Sequence, residues 1–150
     1  MKETKKLFID TNIFVRALTN DNKKLSVEAI DFLDFANKTT NVKSYTSVVV
    51  LMEIGWVLSS FYGYNKSEII LALSSIEKMT GIKISNIEIN FKKGIRYFKK
   101  HHIKLGDAMI VAGDIIQKEK AIIVSYDKDF DKIKEVVRMT PREVLKKFKR

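Results

Sequence analysis

Four acidic residues stand where an acid needs an explanation. Asp10 ends an apolar run in KLFIDTNIF, Glu53 interrupts VVVLMEIGWVLSSFYG, Asp107 follows the basic stretch KKGIRYFKKHHIK, and Asp127 closes AIIVSYD. Each has an ordinary use. Asp10 and Asp107 are good helix N-caps and Asp127 a good turn starter. Glu53, with no cation within a helical turn, would need a solvent window or a distant lysine, because an unpaired buried charge costs several kcal/mol. One shared site explains all four together. Two carboxylates about 5 Å apart repel by roughly 3 kcal/mol at an effective dielectric near 20, so a cleft of four requires a cation. Oxygen-only ligands favour Mg²⁺ or Mn²⁺ over zinc, and such ions keep waters that can act as nucleophiles. With a phosphate as substrate, the chemistry is metal-assisted hydrolysis of a phosphodiester.

The rest of the chain narrows this chemistry. Cysteine is absent, which removes thiolate metal sites, thiol nucleophiles and disulfides. His101 and His102 are adjacent, so on a helix they point apart and make a poor metal pair. Twenty-eight Lys and Arg against 18 Asp and Glu give a net charge of +10. That balance fits a polyanion such as RNA as partner, or simply a solvated lysine-rich surface. Lys99, Lys100 and Lys104, just ahead of Asp107, are the candidate nucleic-acid contacts.

Delivering the acids to one place requires a particular arrangement of elements. Residues 5–9 read as a buried strand that passes at Thr11 and Asn12 into a helix. Ser26 is read as the cap of a helix to Lys38. A strand at 43–46 leads to Ser47, the cap of a helix over 48–63 that is apolar almost all round and is therefore expected to be buried. Ser67 is read as capping the next helix, to Met79, with Gly81 as its left-handed terminus. IKISNIEI alternates as a strand, Asn90 caps a lysine-rich helix to about His101, and a continuous helix is expected over 107–117. AIIVSYD is the clearest strand. A weak strand at 136–139 precedes a helix opened by Thr140 and Pro141.

Strands alternating with helices predict a mostly parallel sheet covered on both faces, in a single domain spanning residues 1–150. Ligand sites in such sheets lie at the carboxyl ends of strands, where Asp10 and Asp127 emerge. No apolar run is long enough to span a membrane or to form a signal-peptide core, and the expected location is the cytoplasm.

Four segments in order, FIDTNIFVRAL, TSVVVLMEIGWVL, LGDAMIVAGDI and IIVSYDKDFDKI, resemble PIN-domain ribonucleases, and especially VapC-type toxins of toxin–antitoxin pairs. The resemblance implies an α/β/α sandwich, a Mg²⁺- or Mn²⁺-dependent endoribonuclease, frequent homodimers and an antitoxin that occludes the site. It matches Asp10, Glu53, Asp107 and Asp127 to the acidic ligands, with Asn12 and Ser125 as polar supports. Asp129, two residues after Asp127, can replace or assist it as a ligand, whereas Asp131 reads as part of a surface turn. Asp114, an extra acid for this pattern, is read as structural. An aspartyl-phosphate phosphatase would want a second acid two residues after the first, and here that position is Asn12. Two other readings remain: an RNA-processing nuclease of the same family without an antitoxin, and a non-catalytic RNA-binding or assembly protein whose acids are merely caps.

Overall fold

Leu7, Phe8 and Ile9 are completely buried, as a strand covered on both faces requires. In the computed structural model, which describes residues 3–150, they belong to β1 (Lys5–Ile9), the central strand of a five-stranded sheet. The other strands are β2 (Val42–Ser47), β3 (Ile82–Ser85), β4 (Ile122–Val124) and β5 (Arg138–Met139). Their order is β3-β2-β1-β4-β5, and every pairing is parallel. Among the described residues, eight helices complete the chain: α1 (Thr11–Thr19), α2 (Lys23–Lys38), α3 (Val48–Tyr62), α4 (Lys66–Glu77), α5 (Phe91–Lys100), α6 (Leu105–Val111), α7 (Asp114–Gln117) and α8 (Pro141–Phe148).

Strand order dictates the layers. The chain moves from β1 outward to β2 and β3, then crosses back to β4 on the other side of β1. With right-handed crossovers, that reversal puts α1–α4 and α5–α7 on opposite faces. The α1–α2, α1–α3 and α3–α4 contacts form one layer and the α5–α6 and α6–α7 contacts the other. The result is the expected three-layer α/β/α sandwich. Its core holds Phe8, Phe14, Phe32 and Phe130, each at most 1% exposed. Truncating one of these to Ala would cost about 3–5 kcal/mol.

Several local expectations are corrected. The cap of α2 is Asn22, whose side chain accepts from the Leu25 amide at 3.1 Å, so Ser26 lies inside the helix and is buried. The cap of α4 is Asn65 rather than Ser67, because Asn65 and Glu68 satisfy each other's backbone amides reciprocally. Gly63 takes the left-handed conformation (φ 66°) and ends α3, but Gly81 does not take it. Gly81 instead lies against the Asn37 carbonyl, where any Cβ would collide, and donates its amide to Asn37 Oδ1 at 2.8 Å.

The expected 107–117 helix breaks after Val111. Residues 86–90 leave the sheet after Ser85 and pair with this break: the Asn90 amide donates to the Ala112 carbonyl and the Asp114 amide to the Glu88 carbonyl. Asp114 also accepts from the Glu88 amide, which makes it structural as read. The same pairing shortens the expected 82–89 strand to four residues.

Helix α3 is not buried all round. Val50, Ile54 and Leu58 face the core, whereas Met52 (71%) and Trp56 (61%) are exposed. Its apolar composition serves two surfaces, only one of them internal.

Candidate active site

The strand order makes β1 and β4 neighbours whose flanking connections run in opposite directions, which opens a crevice at their carboxyl ends. Asp10 follows β1 and Ser125 to Asp127 follow β4, so the crevice is lined by residues more than a hundred positions apart. Asp10 is buried and occupies the N-cap position of α1, yet its side chain makes no cap hydrogen bond. Its Oδ2 instead accepts from Ser125 Oγ at 2.7 Å and from Asn12 Nδ2 at 3.2 Å. Asn12 also donates to Ser125 Oγ at 2.9 Å and accepts from the Tyr126 amide, locking the α1 start to the β4 end. Both residues read from sequence as supports touch Asp10 directly.

Glu53 reaches the same place from α3. Its Oε2 accepts from Thr11 Oγ1 at 3.1 Å and would stand 3.9 Å from a Cβ on Gly106, at the start of α6. Among the described residues it has no ion-pair partner, so a lysine bridge does not account for it. Asp107 sits at the third position of α6, whose cap residue is Lys104, and so does not serve as a cap. Asp127 starts the 3₁₀ turn Lys128–Lys132 by accepting from the Asp129 amide, and its other oxygen lies 3.9 Å from Lys104 Nζ. The turn thus takes only one of the two Asp127 carboxylate oxygens. Asp129 is turned to Lys132 at 2.7 Å, and Asp131 is exposed and paired with Arg138. Lys104 lies at the mouth of the crevice, while Lys99 and Lys100 are exposed at the end of α5.

The carboxylates feel one another. Burial pushes the Asp10 carboxyl up to about 6; the Ser125 hydroxyl and the Thr11 amide pull it down, and the charges of Glu53 and Asp127 push it up again. Burial pushes Asp107 up to about 8, with Asp10, Asp127 and Glu53 adding to the rise and Lys104 opposing it. Asp129 is not among the leading influences on either group.

A divalent cation suits this donor set on two counts. Asp107 Oδ2 is buried with no hydrogen-bond partner, a costly state for an acceptor, and the mutual repulsion needs positive charge between the acids. Among the described residues, no three acidic or histidine side chains are yet gathered closely enough to hold a metal by themselves. Asp10 and Asp107 are buried in place, so the half-buried Glu53 and Asp127 are the ones with room to adjust.

Sequence reading missed Arg138 and the partner of Thr11. Thr11, read with Asn12 as the polar pair that opens the first helix, holds Glu53, and Arg138 donates to the Ser125 carbonyl at 3.0 Å while its other nitrogens hold Asp131. Neither partner is close in sequence, so no local pattern marks these roles.

The PIN-domain family model matches residues 7–136. The chain belongs to the PIN-domain family. The matched range contains all four acids and both polar supports. No curated protein matches it in sequence. Among solved structures, it is similar to VapC20 of Mycobacterium tuberculosis, described as a sarcin–ricin-loop-cleaving toxin (TM-score 0.65, 16% identity, 85% of this chain and 95% of that one). It is also similar to VapBC-1 from nontypeable Haemophilus influenzae (0.64, 18%, 91% and 98%). A third is VapBC2 from Rickettsia felis, bound to a DNA fragment from the promoter (0.60, 20%, 90% and 98%). At these identities the likeness establishes a shared PIN fold.

Proposed function

We propose that this PIN-domain protein is a Mg²⁺- or Mn²⁺-dependent endoribonuclease, the toxin of a VapBC-type pair, working in the cytoplasm. The observation that carries the proposal is that the charges of Glu53 and Asp127 act on both Asp10 and Asp107 around one crevice, with an orphaned Asp107 oxygen. When bound there, the divalent ion supplies the positive charge that polarises the phosphoryl oxygen and acidifies an attacking water. Asp10, Glu53 and Asp107 would hold it, with Asp127 as fourth ligand; Asp129, engaged by Lys132, is the weaker candidate. Asn12 and Ser125 fix the Asp10 carboxylate in one orientation, which pre-sets one side of the metal site. Lys104 stands where it can bind the phosphate beside the scissile bond.

Two partners belong to this reading. An antitoxin is supported by the structural neighbours, three of which are toxin–antitoxin complexes. A homodimer is supported by the uncovered apolar residues Met52, Trp56 and Phe61 on α3 and Leu71 on α4. Cleavage of single-stranded RNA with Mn²⁺, in EDTA and by Asp10→Asn is the test. Activity is expected with Mn²⁺ alone, and cleavage that survives both EDTA and Asp10→Asn would remove the proposal.

A further inference from the structure

The carboxylates use one end of the sheet, while a separate group of cations lies beside α5 and the turn into β4. There, α5, the end of α7 and the turn into β4 bound an open groove of about 560 Å³. It presents Lys93, Arg96, Lys100 and Lys120 against a single acid, Glu135. Lys93, Arg96 and Lys100 share one stripe of α5, at positions i, i+3 and i+7. Among the described residues, none of these four cations has a carboxylate within 4 Å.

A solvated helix face would explain a stripe of lysines, but not what surrounds it. Lys93 bonds to Gln117, whose amide nitrogen donates to Tyr97 Oη and to the Val111 carbonyl at 2.7 Å, so the floor of the groove is fixed. Lys120 adopts φ 55°, a conformation that suits Gly and strains Lys. That backbone places Lys120 among the residues that line the groove.

The groove also leads somewhere. From Lys93 to Lys100 the helix rises about 10 Å. Beyond it, Lys132 is held on the His102 carbonyl at 2.7 Å, and Lys104 stands 3.9 Å from Asp127. Basic residues thus recur along the chain from Lys93 through Lys100 to Lys104 at the crevice, with Lys132 there already paired to Asp129 at 2.7 Å.

We infer that this groove is a phosphate track, which holds the backbone of an RNA strand whose scissile bond lies at the carboxylates. The inference rests on the nuclease reading and adds to it a binding surface remote from the chemistry. An RNA strand fits better than an acidic protein. Protein interfaces are centred on apolar and aromatic anchors, and the exposed apolar side chains of α5, Phe91, Ile95 and Phe98, lie off the basic stripe.

The test is fluorescence anisotropy of a labelled single-stranded RNA of about 20 nucleotides, longer than the ~4–16 nucleotides typical of single-strand sites, in EDTA so that binding is read without cleavage. The triple variant Arg96→Gln/Lys100→Gln/Lys120→Gly should bind at least about tenfold more weakly, and the slope of log affinity against log salt should fall by about 2. Removing the same charge from α8, by Arg142→Gln/Lys146→Gln/Lys147→Gln, should change affinity less than about threefold. Lys120→Gly alone should weaken binding while holding or raising the thermal midpoint, because it relieves the backbone.

Equal losses in the two triple variants would mean undirected charge attraction and would overturn the track, as would RNA affinity unchanged in the α5 variant. Loss of poly-glutamate binding with RNA binding intact would reassign the groove to a protein and overturn it equally. A chain that binds RNA through the track but never cleaves it defeats the nuclease reading alone. One that cleaves with unchanged binding in the α5 variant defeats the track alone.

Discussion

The two ends of this sheet handle charge in opposite ways. At the carboxyl end, acids are drawn into a crevice where Asp10 and Asp107 are buried and pushed up to about 6 and about 8. At the amino end, three lysines and Arg96 line an open groove, and among the described residues none of the four has a carboxylate within 4 Å. Burial makes the first set expensive, so its members must gain something the fold alone does not supply. Exposure makes the second set inexpensive, so its members influence binding with little effect on stability. On the proposed reading, chemistry belongs to the end that stores unfavourable energy, and attraction to the end that does not.

The hardest test of this contrast is Asp107→Asn. Loss of a metal-holding carboxylate should lower RNA cleavage by more than about a hundredfold, beyond the ~10–100-fold typical of residues that only orient ligands. Metal-free protein should nevertheless become more stable at high pH, measured by thermal unfolding in EDTA. The sign follows from proton binding. A carboxyl raised to about 8 binds more protons when folded than when unfolded, so stability falls as pH rises from about 4 to about 8 and is then flat. Asparagine removes that fall, on the order of a few kcal/mol at pH 9 and little near pH 4. A variant that loses both activity and stability at pH 9 would break the comparison.

Ser125→Ala should cost about 10–100-fold in activity by freeing Asp10, with retained global fold by circular dichroism. Saturating the unsubstituted protein with Mn²⁺ at about 100 times its dissociation constant should add about 2.7 kcal/mol, a rise of roughly 5–10 °C in thermal midpoint. That rise should shrink as pH falls below about 8, where protons compete for Asp107, and further below about 6, where they compete for Asp10. The smallest effect is expected at the other end. Arg96→Gln and Lys100→Gln should each change stability by no more than about 0.5 kcal/mol in urea unfolding, and a larger loss would mean that the groove is structural.

Much of this arrangement was legible in the sequence, because some patterns carry their own geometry. An apolar run ending in Asp10 is a strand delivering an acid, and Ser47, Asn90 and Thr140 act as the caps their types suggest. Ser26 and Ser67 failed as caps because Asn22 and Asn65, a few residues upstream, start the helices earlier and leave both serines inside them. The break at Ala112 and Gly113 was illegible because its cause is a distant segment, 86–90, that pairs there. Glu53 was conspicuous in an apolar helix, but the same apolar background concealed that Met52 and Trp56 face outward.

Local spacing determines which residues can end a strand or cap a helix, because those interactions span only a few positions. By itself the sequence therefore determined the alternation of strands and helices, the acids singled out by their contexts, and the excess of positive charge. Only the tertiary structure decided that Asp10, Glu53, Asp107 and Asp127 act on one another, that Asp129 turns to Lys132, and that Lys120 joins the stripe on α5. Those relations depend on parallel strand order and crossovers, which bring together groups as far apart as Asn12 and Ser125.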